Sequence, residues 1–498
     1  MLDKVEIEKK SKNITKEDCK AEIDALKEQL VALEQRIRNE KLPVLVLFEG
    51  WGASGKGMVI GKTINCLDPR SFKVHSIVPS DEREKRMPFM WRFWNVIPEK
   101  GKLCILDRSW YQEIVPICVE EKHPEEELLE KMDKFNTFER QLFDDGYAII
   151  KIFLHIGRDE QKKRFEKLSE KKSTKWRVKE SDLKRNKKYD SYFVEYDKML
   201  EYTNTAYAPW TVIDAENKNA TVAAVFRTLI DEITKRLDNQ KASFTKQELK
   251  REYSILRNLS LAQIDLNKTI EKAEYKKEIK IQQKRLARLH GLLYEKKIPV
   301  VICFEGWDAA GKGGTIRRIA AGLDPRGYEA VPVSAPEPHE LNRHYLWRFW
   351  QHLPKTGHIA IFDRTWYGRV LVERIEGYTS ENRWKKAFNE INEFENELSE
   401  SGVLVLKFWI HIDKDEQLKR FNQRMNTPEK RWKITDEDWR NRDKWEAYEL
   451  AANQMFSQTS TDFAPWHIIE NNCKEYGRIQ ALKTVNDSIE KWIEIHSK

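Results

Sequence analysis

The chain has 498 residues, of which 40% are hydrophobic and 34% charged, a length and composition that predict two or more folded domains. The net charge of +8 comes from 89 basic and 81 acidic residues, so an anionic partner must be argued from local clusters of charge. No apolar run approaches the ~20 residues of a membrane helix, and the N-terminus lacks the apolar core of a signal peptide. Six cysteines without a CxxC pair argue against a disulfide scaffold or a zinc cluster. We therefore expect a cytoplasmic protein without a membrane partner.

The sequence repeats itself at a constant offset of 256 residues. The segment 46–57 (VLFEGWGASGKG) returns at 302–313 (ICFEGWDAAGKG), and the motifs LDPR, WRFW and APW return at the same offset. Because the offset does not change between the first of these motifs and the last, no insertion or deletion separates the two copies there. This pattern predicts a tandem duplication.

The duplication sets the expected domain organisation. We place one domain at 1–250 and the other at 251–498, with the boundary in the charged stretch 238–260. No Pro-, Gly- or Ser-rich linker is visible there, so we expect the two halves to pack together. Association of the chain into a homo-oligomer is a further hypothesis.

Each copy begins with a charged helix whose apolar residues fall on one face, and we expect this helix to cover the outside of its domain. The residues on that face are Ile23, Leu26, Leu30, Leu33 and Ile37 in the first copy and Ile279, Leu286, Leu289 and Leu293 in the second. Apolar runs then alternate with helical segments, which predicts a parallel α/β sheet. The runs cover residues 43–48, 103–106 and 147–155 in the first copy and 299–304, 359–362 and 403–411 in the second.

The first strand of the second copy enters a glycine loop of the form G-x-x-x-x-G-K, with Gly306, Gly311 and Lys312 at the fixed positions. The N–H groups of such a loop close around phosphate, and Lys312 would reach the phosphate that is transferred. Residue 313 is Gly where an ordinary loop of this type has the Ser or Thr that holds Mg²⁺. The loop carries Asp308 instead, and an anion near phosphates is costly without a cation. We expect Asp308 to help to bind Mg²⁺; the alternative is an Asp that caps the following helix.

A second carboxylate ends the apolar run 359–362, in the manner of a Walker B residue. Asp363 would face the loop from the carboxyl edge of a parallel sheet, as a metal ligand or as an acceptor that orients the attacking phosphate. Arg364 would neutralise charge on the transferred phosphoryl group. Arg369 and Arg374 follow, and they would extend the site into a track for a long polyanion. The alternative for Asp363 and Arg364 is a surface ion pair.

A basic segment follows in both copies. Residues 417–444 hold nine Lys or Arg against five Asp or Glu, and residues 161–188 hold thirteen against four. We expect this segment to form a helical lid over the phosphates, with Arg420 and Arg424 on one helix face; a solvated charged face is the alternative. Trp432 is a candidate for stacking, whereas the tryptophans of the repeated motifs are expected in the core.

The motifs GWDAAGKGG, LDPRG, YLWRFW and DRTWYGRVLVER, with a basic segment that leads to APW, resemble the second polyphosphate kinase family. The resemblance covers 299–478 and, more weakly, 43–222. It implies two tandem P-loop kinase-like domains, each a parallel sheet flanked by helices with a basic lid. It also implies Mg²⁺-dependent transfer of phosphate between inorganic polyphosphate and a nucleotide, with Mn²⁺ as an alternative metal and without a nucleic-acid partner.

The tandem form implies that AMP is the acceptor and ADP the product. Three alternatives stay open: phosphorylation of ADP or GDP, an ATP-dependent nucleotide kinase, and a protein that binds polyphosphate or nucleic acid without catalysis. By position, the resemblance assigns catalysis to Asp308, Lys312, Asp363 and Arg364, and the metal to Asp308 and Asp363. It assigns phosphate and substrate binding to Gly306, Gly311, Lys312, Gly313, Gly314, Arg326, Arg369, Arg374, Arg420 and Arg424.

The first copy departs from this pattern at several of the positions. Gly52, Met58, Met87, Glu113 and Cys118 stand where the second copy has Asp308, Gly314, Arg343, Arg369 and Arg374. Lys56, Asp107, Arg108 and Arg164 are retained. Loss of a metal carboxylate and of basic residues predicts that residues 1–250 form a catalytically silent domain, which the basic segment 161–188 would still allow to bind polyphosphate.

Overall fold

The structure is a computed structural model that describes residues 1–2, 16–121, 123–238, 252–256 and 260–496, with the backbone alone for 16–19. Most of the predicted boundary stretch 238–260 lies outside the described residues. Within the described part, no helix is both long enough and apolar enough to cross a membrane.

The described residues divide into two compact units that do not follow a simple division of the sequence. The first unit consists of the described parts of Met1–Pro79, Arg92–Lys246 and Pro338–His344; the second consists of those of Ser80–Trp91, Gln247–Glu337 and Tyr345–Lys498. Each unit therefore includes one short segment from the other half of the sequence. Division into 1–250 and 251–498 leaves out this exchange of segments.

Within the described residues, each unit contains one five-stranded parallel sheet. The orders are β2-β3-β1-β4-β5 and β7-β8-β6-β9-β10. The strands of the first sheet are β1 (Val44–Gly50), β2 (Phe72–Ser76), β3 (Leu103–Asp107), β4 (Ala148–His155) and β5 (Trp210–Asp214). Those of the second sheet are β6 (Val300–Gly306), β7 (Tyr328–Pro332), β8 (Ile359–Asp363), β9 (Leu404–His411) and β10 (Trp466–Glu470).

The three central strands of each sheet match the predicted apolar runs, because they are buried on both faces. The edge strands β2, β5, β7 and β10 were not predicted from the sequence. Most of their residues are at least partly exposed, so they carry no continuous apolar run.

Helices surround both sheets. In the first half of the sequence they are α1 (Lys16–Asn39), α2 (Lys56–Ile64), α3 (Trp91–Trp94), α4 (Ile114–Pro116), α5 (Glu125–Asp144), α6 (Arg158–Glu170), α7 (Glu180–Lys187), α8 (Tyr189–Tyr202) and α9 (Lys218–Asp238). In the second half they are α10 (Lys272–Glu295), α11 (Lys312–Ala320), α12 (Pro338–Leu341), α13 (Trp347–Trp350), α14 (Val372–Ile375), α15 (Glu381–Glu400), α16 (Lys414–Met425), α17 (Asp436–Asp443), α18 (Trp445–Thr459) and α19 (Lys474–His496).

The predicted outer helices are present as α1 and α10. Helix α1 packs on α9, and α10 packs on α19. The predicted apolar face is directed inward: Leu26, Leu30, Leu286, Leu289 and Leu293 are buried. The repeated tryptophan motifs also lie in the core, where Trp94, Trp110, Trp350 and Trp366 are among the largest fully buried side chains.

Candidate active site

The glycine loop of the second unit follows β6, which lies between β8 and β9. The chain leaves β6 toward one side of the sheet and later enters β9 on the other, so the loop occupies the point where ligands bind in open α/β sheets. Gly306 approaches the backbone of Ile410 too closely for any side chain, and Gly311 has a φ of +116°. The ammonium of Lys312 donates to the carbonyl of Gly306 at 2.6 Å and to that of Trp307 at 3.2 Å. The loop thus has the geometry of a phosphate cradle with its lysine held in place.

A buried glutamate fixes the turn that follows β8. Glu305 accepts hydrogen bonds at Oε1 from the backbone N–H of Thr365 at 2.7 Å and from its hydroxyl at 2.8 Å. Burial raises the pKa of Glu305, and Lys312 is the strongest influence in the opposite direction. Arg364, between β8 and this turn, has a φ of +67° in the left-handed region. An arginine there is strained by roughly 1–2 kcal/mol, so the fold retains a costly conformation at the residue predicted to meet the transferred phosphate.

Asp308 is the residue at which the loop and the lid meet. Its Oδ2 accepts a hydrogen bond from the side-chain amide of Asn441 in α17 at 2.8 Å, and its Oδ1 lies 3.4 Å from the guanidinium of Arg364. Tyr448 of α18 donates its hydroxyl proton to Asn441 Oδ1 at 3.1 Å. Asn441 therefore joins the lid to the loop carboxylate. Asn441 was not predicted from the sequence, because nothing in its local pattern distinguishes it from a solvated polar side chain.

The carboxylates present fit a divalent cation that is shared with phosphate. Asp363 Oδ2 would lie 4.0 Å from a Cβ atom at Gly313, so this carboxylate is close to the start of α11. Across the described chain, no three His, Cys, Asp or Glu side chains converge as a metal site of their own. Mg²⁺ is ordinarily held by one or two carboxylates together with substrate phosphates, and Asp308 and Asp363 are the carboxylates that would take this role here. Burial and the proximity of Asp308 raise the pKa of Asp438 in α17, so acidic groups are crowded here.

The segment 417–444, predicted to act as a lid, is helical: it comprises most of α16, a short 3₁₀ turn at Pro428–Lys433, and α17, and α18 follows it. Arg420 does not face outward from it. Its guanidinium is 3% exposed and donates to the carbonyls of Ala309, Ala310, Asn471 and Asn472 and to Glu416 Oε1. All five N–H donors are occupied, so Arg420 holds the shape of the loop.

The remaining arginines of the predicted track have other partners. Arg326 is 89% exposed, pairs with Asp324, and lies before the amino end of β7, at the sheet edge opposite the loop. Arg369 pairs with Glu373 at 2.9 Å. Arg374 stacks on Trp384 with its guanidinium carbon 3.9 Å from the ring centroid. The structure therefore does not bring Arg326 into the site, and it gives Arg369 and Arg374 structural contacts.

Two predicted lid residues stay accessible. Trp432 is 75% exposed, and its role in stacking stays a prediction. Arg424 donates to the carbonyl of Lys433 at 3.1 Å. The indole of Trp307, by contrast, stacks on Trp445 with ring centroids 3.7 Å apart, an aromatic contact between the loop and α18.

The sequence matches the model of the polyphosphate kinase 2 family over residues 13–241 and again over 269–496. The chain belongs to the polyphosphate kinase 2 family. Over 490 residues it is 39% identical to a polyphosphate:AMP phosphotransferase of Pseudomonas aeruginosa, an alignment that covers 96% of this chain and 97% of that relative. Its fold is similar to the crystal structure of a Pseudomonas aeruginosa PA01 protein described as a polyphosphate kinase 2, with a TM-score of 0.85 and 37% identity over 97% of both chains.

Another relative matches less than half of this chain. The ADP-polyphosphate phosphotransferase 2 of Rhizobium meliloti is 39% identical over 213 residues, which are 43% of this chain and 70% of that protein. The family model, by contrast, matches this chain twice.

The first polyphosphate kinase 2 domain keeps the scaffold of the site. Arg108 has the same φ of +67° as Arg364, and Glu49 accepts from the backbone and hydroxyl of Ser109 as Glu305 does from Thr365. Arg164 donates to the carbonyls of Ala53 and Ser54, as Arg420 does in the second domain. What differs is the chemistry at the loop, where Gly52 stands in place of the carboxylate.

A buried ion pair behind each site was also missed from the sequence. Lys407 of β9 pairs with Glu395 of α15 at 2.7 Å and donates to Tyr367 Oη at 2.8 Å, and both charged side chains are fully buried. The first domain repeats this arrangement with Lys151 and Glu139 at 2.8 Å. The sequence does contain a signal for this ion pair: a lysine interrupts an apolar run, and it does so in both copies at the 256-residue offset.

Proposed function

We propose that the second domain transfers the terminal phosphoryl group of inorganic polyphosphate to AMP, giving ADP. The observation that carries the choice of acceptor is the extent of the matches. The relative named for AMP matches both domains along almost its whole length, whereas the relative named for ADP matches 43% of this chain. The relative that matches this chain over both domains is thus the one whose name specifies AMP.

The reaction needs little proton transfer from the protein. An oxygen of the AMP phosphate, already anionic, attacks the terminal phosphorus of the polyphosphate chain. The bond to the next bridging oxygen breaks, and the shortened chain leaves with the electron pair. Catalysis then rests on positioning two anions and on neutralising the charge between them.

The residues of the second domain divide these tasks. The loop N–H groups and Lys312 hold the phosphates of the donor, and Arg364 lies beside Asp308 where charge from the transferred group can be neutralised. Asp308 and Asp363 would hold Mg²⁺, which when bound would draw the phosphate oxygens together and offset their charge. Closure of the lid through Asn441 would exclude water, the competing acceptor.

A nucleotide-product assay tests the proposal. The protein is mixed with Mg²⁺, long-chain polyphosphate and either AMP or ADP, with an Asp363→Asn variant as the control. Rapid formation of ADP from AMP, with little ATP from ADP, is the expected result. Formation of ATP mainly from ADP would contradict AMP as the acceptor, and absence of product with either nucleotide would contradict the reaction itself.

A further inference from the structure

The first domain contains a cavity between the segment that follows β3, helix α5 and helix α8. Its volume is about 390 Å³, within the range of pockets that bind small molecules. Ile114, Leu128, Met132 and Met199 form an apolar floor, and all four side chains are buried. The described lining includes no residue of the glycine loop, so the cavity is separate from that loop.

The second domain fills the corresponding place with its own side chains. Arg374 stacks on Trp384, with its guanidinium carbon 3.9 Å from the ring centroid, and donates to Gln454 Oε1 at 2.8 Å. At the 256-residue offset, the first domain has three smaller side chains: Cys118 for Arg374, Leu128 for Trp384 and Met132 for Phe388. The cavity is therefore the space that a stacked guanidinium and indole occupy in the second domain.

Carboxylates line the rim of this cavity. Glu125, Glu195 and Glu201 all belong to the lining, and Glu195 is 26% exposed. Two of the three carboxylates have uncharged counterparts in the second domain, where Ala451 stands for Glu195 and Ser457 for Glu201. The first domain thus combines smaller side chains in the floor with a more acidic rim.

The cations beside these carboxylates do not balance them. Lys198, which also lines the cavity, pairs with Glu195 at 3.0 Å. The amino group of Met1 is shared between Asp197 at 2.7 Å and Glu201 at 3.2 Å. Around the rim, within the part of the chain that the structure describes, the carboxylates therefore outnumber the cations that pair with them.

An apolar floor beneath an acidic rim favours one class of ligand. The floor gains free energy when it covers apolar surface, whereas the carboxylates attract a cation and repel an anion. Burial and the charge of Glu195 raise the pKa of the Cys118 thiol to about 11, so the thiol adds no charge near neutral pH. The ligand that fits is a cation with an apolar body.

We infer that this cavity binds a small guanidinium compound with an apolar body. The charged group of the ligand would lie where Arg374 lies in the second domain and would pair with Glu195. The first domain would then be a ligand-binding domain in its own right, although it has Gly52 at the position of Asp308. No residue of the described lining takes part in the proposed phosphoryl transfer, so the inference stands apart from the proposed function.

Binding of three probes to the full-length protein tests the preference for a cation. Phenethylguanidinium carries the apolar body and the charge, phenethylurea is its neutral analogue, and 3-phenylpropionate is an anion of similar size. We expect the guanidinium compound to bind about tenfold more tightly than the urea, the gain expected for one charge-assisted contact. The anion should bind more weakly than either. Titrations followed by ligand-detected NMR, without nucleotide or polyphosphate, measure these affinities.

Variants that copy the second domain locate the site. Cys118→Arg combined with Leu128→Trp supplies the chain's own guanidinium and indole, and should weaken binding of both phenethylguanidinium and phenethylurea by about tenfold because the cavity is filled. Glu195→Ala should remove the preference for the cation and leave the affinity for the urea nearly unchanged. Asp231→Ala, which removes an exposed carboxylate of α9, is the matched control and should alter neither affinity.

Several outcomes would overturn the inference. They are equal binding of the three probes, a preference for the urea or the anion, no binding of phenethylguanidinium at millimolar concentration, and unchanged binding in the combined variant or in Glu195→Ala. If the combined variant shows no cooperative thermal unfolding, Met132→Phe, which copies Phe388, decides in its place. Because these titrations contain no substrate, a failure of ADP formation from AMP would leave their result intact.

Discussion

The two domains of this chain share a scaffold and differ where phosphate chemistry would occur. Both keep the strained arginine after the third strand, the buried glutamate beneath it and the arginine that holds the loop. Only the second has Asp308 and Gly314. The comparison teaches that the fold alone maintains the shared features, so their presence in the first domain does not show that this domain is active.

Two of the basic residues that the first copy lacks, at the positions of Arg343 and Arg374, have structural contacts in the second copy. Met87 and Arg343 occupy equivalent positions in the sequence, but Arg343 belongs to the first compact unit, where it donates to Glu99 at 2.9 Å. Its replacement in the first copy therefore does not remove a cation from the first loop. Arg374 stacks on Trp384, so Cys118 in its place removes a structural contact, and Gly52 is the main chemical difference at the first loop.

The largest expected difference between the two domains is the effect on activity of neutralising the strand-end carboxylate in each. We expect Asp363→Asn to lower ADP formation from AMP by on the order of a thousandfold, because the metal and the transferred charge lose a ligand. Asp107→Asn should leave the rate within twofold. Steady-state assays of both purified variants measure this, and equal losses would show that both domains are active.

The buried ion pairs should respond in the opposite way, with equal effects in the two domains. Lys407→Met and Lys151→Met each leave a buried glutamate without its partner, at a cost of about 3–5 kcal/mol in the free energy of unfolding. Denaturant titration followed by hydrogen exchange of each sheet measures the two costs. A large cost in one domain alone would mean that the scaffold, too, has diverged.

Acid should destabilise the second domain more than the first. Burial lowers the pKa of His411 to about 4 and that of His467 to about 4, and the first domain has His155 but Thr211 at the second position. A histidine with a folded-state pKa below its unfolded value binds more protons when unfolded, so stability falls as the pH drops from 6.5 toward 4. The loss at pH 5 is about 2 kcal/mol for each histidine.

Thermal unfolding at pH 7.5 and pH 5 measures this difference, with His467→Thr as the matched variant. The variant should lose less stability than the wild type on acidification. An identical pH response in the two proteins would contradict a neutral, partly buried His467.

The smallest expected effect concerns the link between the lid and the loop. Asn441→Ala removes the hydrogen bond to Asp308, and we expect kcat/KM for AMP to fall about tenfold. Proteolysis within residues 426–444 should become faster, because the lid loses a contact with the loop. Arg185, the equivalent residue of the first domain, bonds to Glu120 instead, so Arg185→Ala is the control that should leave the rate unchanged.

The sequence alone predicted the duplication, the central strands and the glycine loop, because each leaves a local pattern: a constant offset, an apolar run or fixed glycine spacing. It did not predict the direction of Arg420, since helical spacing identifies a face but not what that face meets. Asn441 lies 133 positions after Asp308, and only the fold brings them together. Contacts that depend on tertiary structure, such as Arg374 on Trp384, leave no local pattern.

The exchange of Ser80–Trp91 and Pro338–His344 means that each compact unit contains a segment encoded in the other half of the sequence. Arg86 of the first half accepts at its carbonyl from Thr356 N–H at 2.9 Å inside the second compact unit. Neither half of the sequence therefore holds the whole of its own unit, and a cut between the two copies would separate each unit from one of its segments.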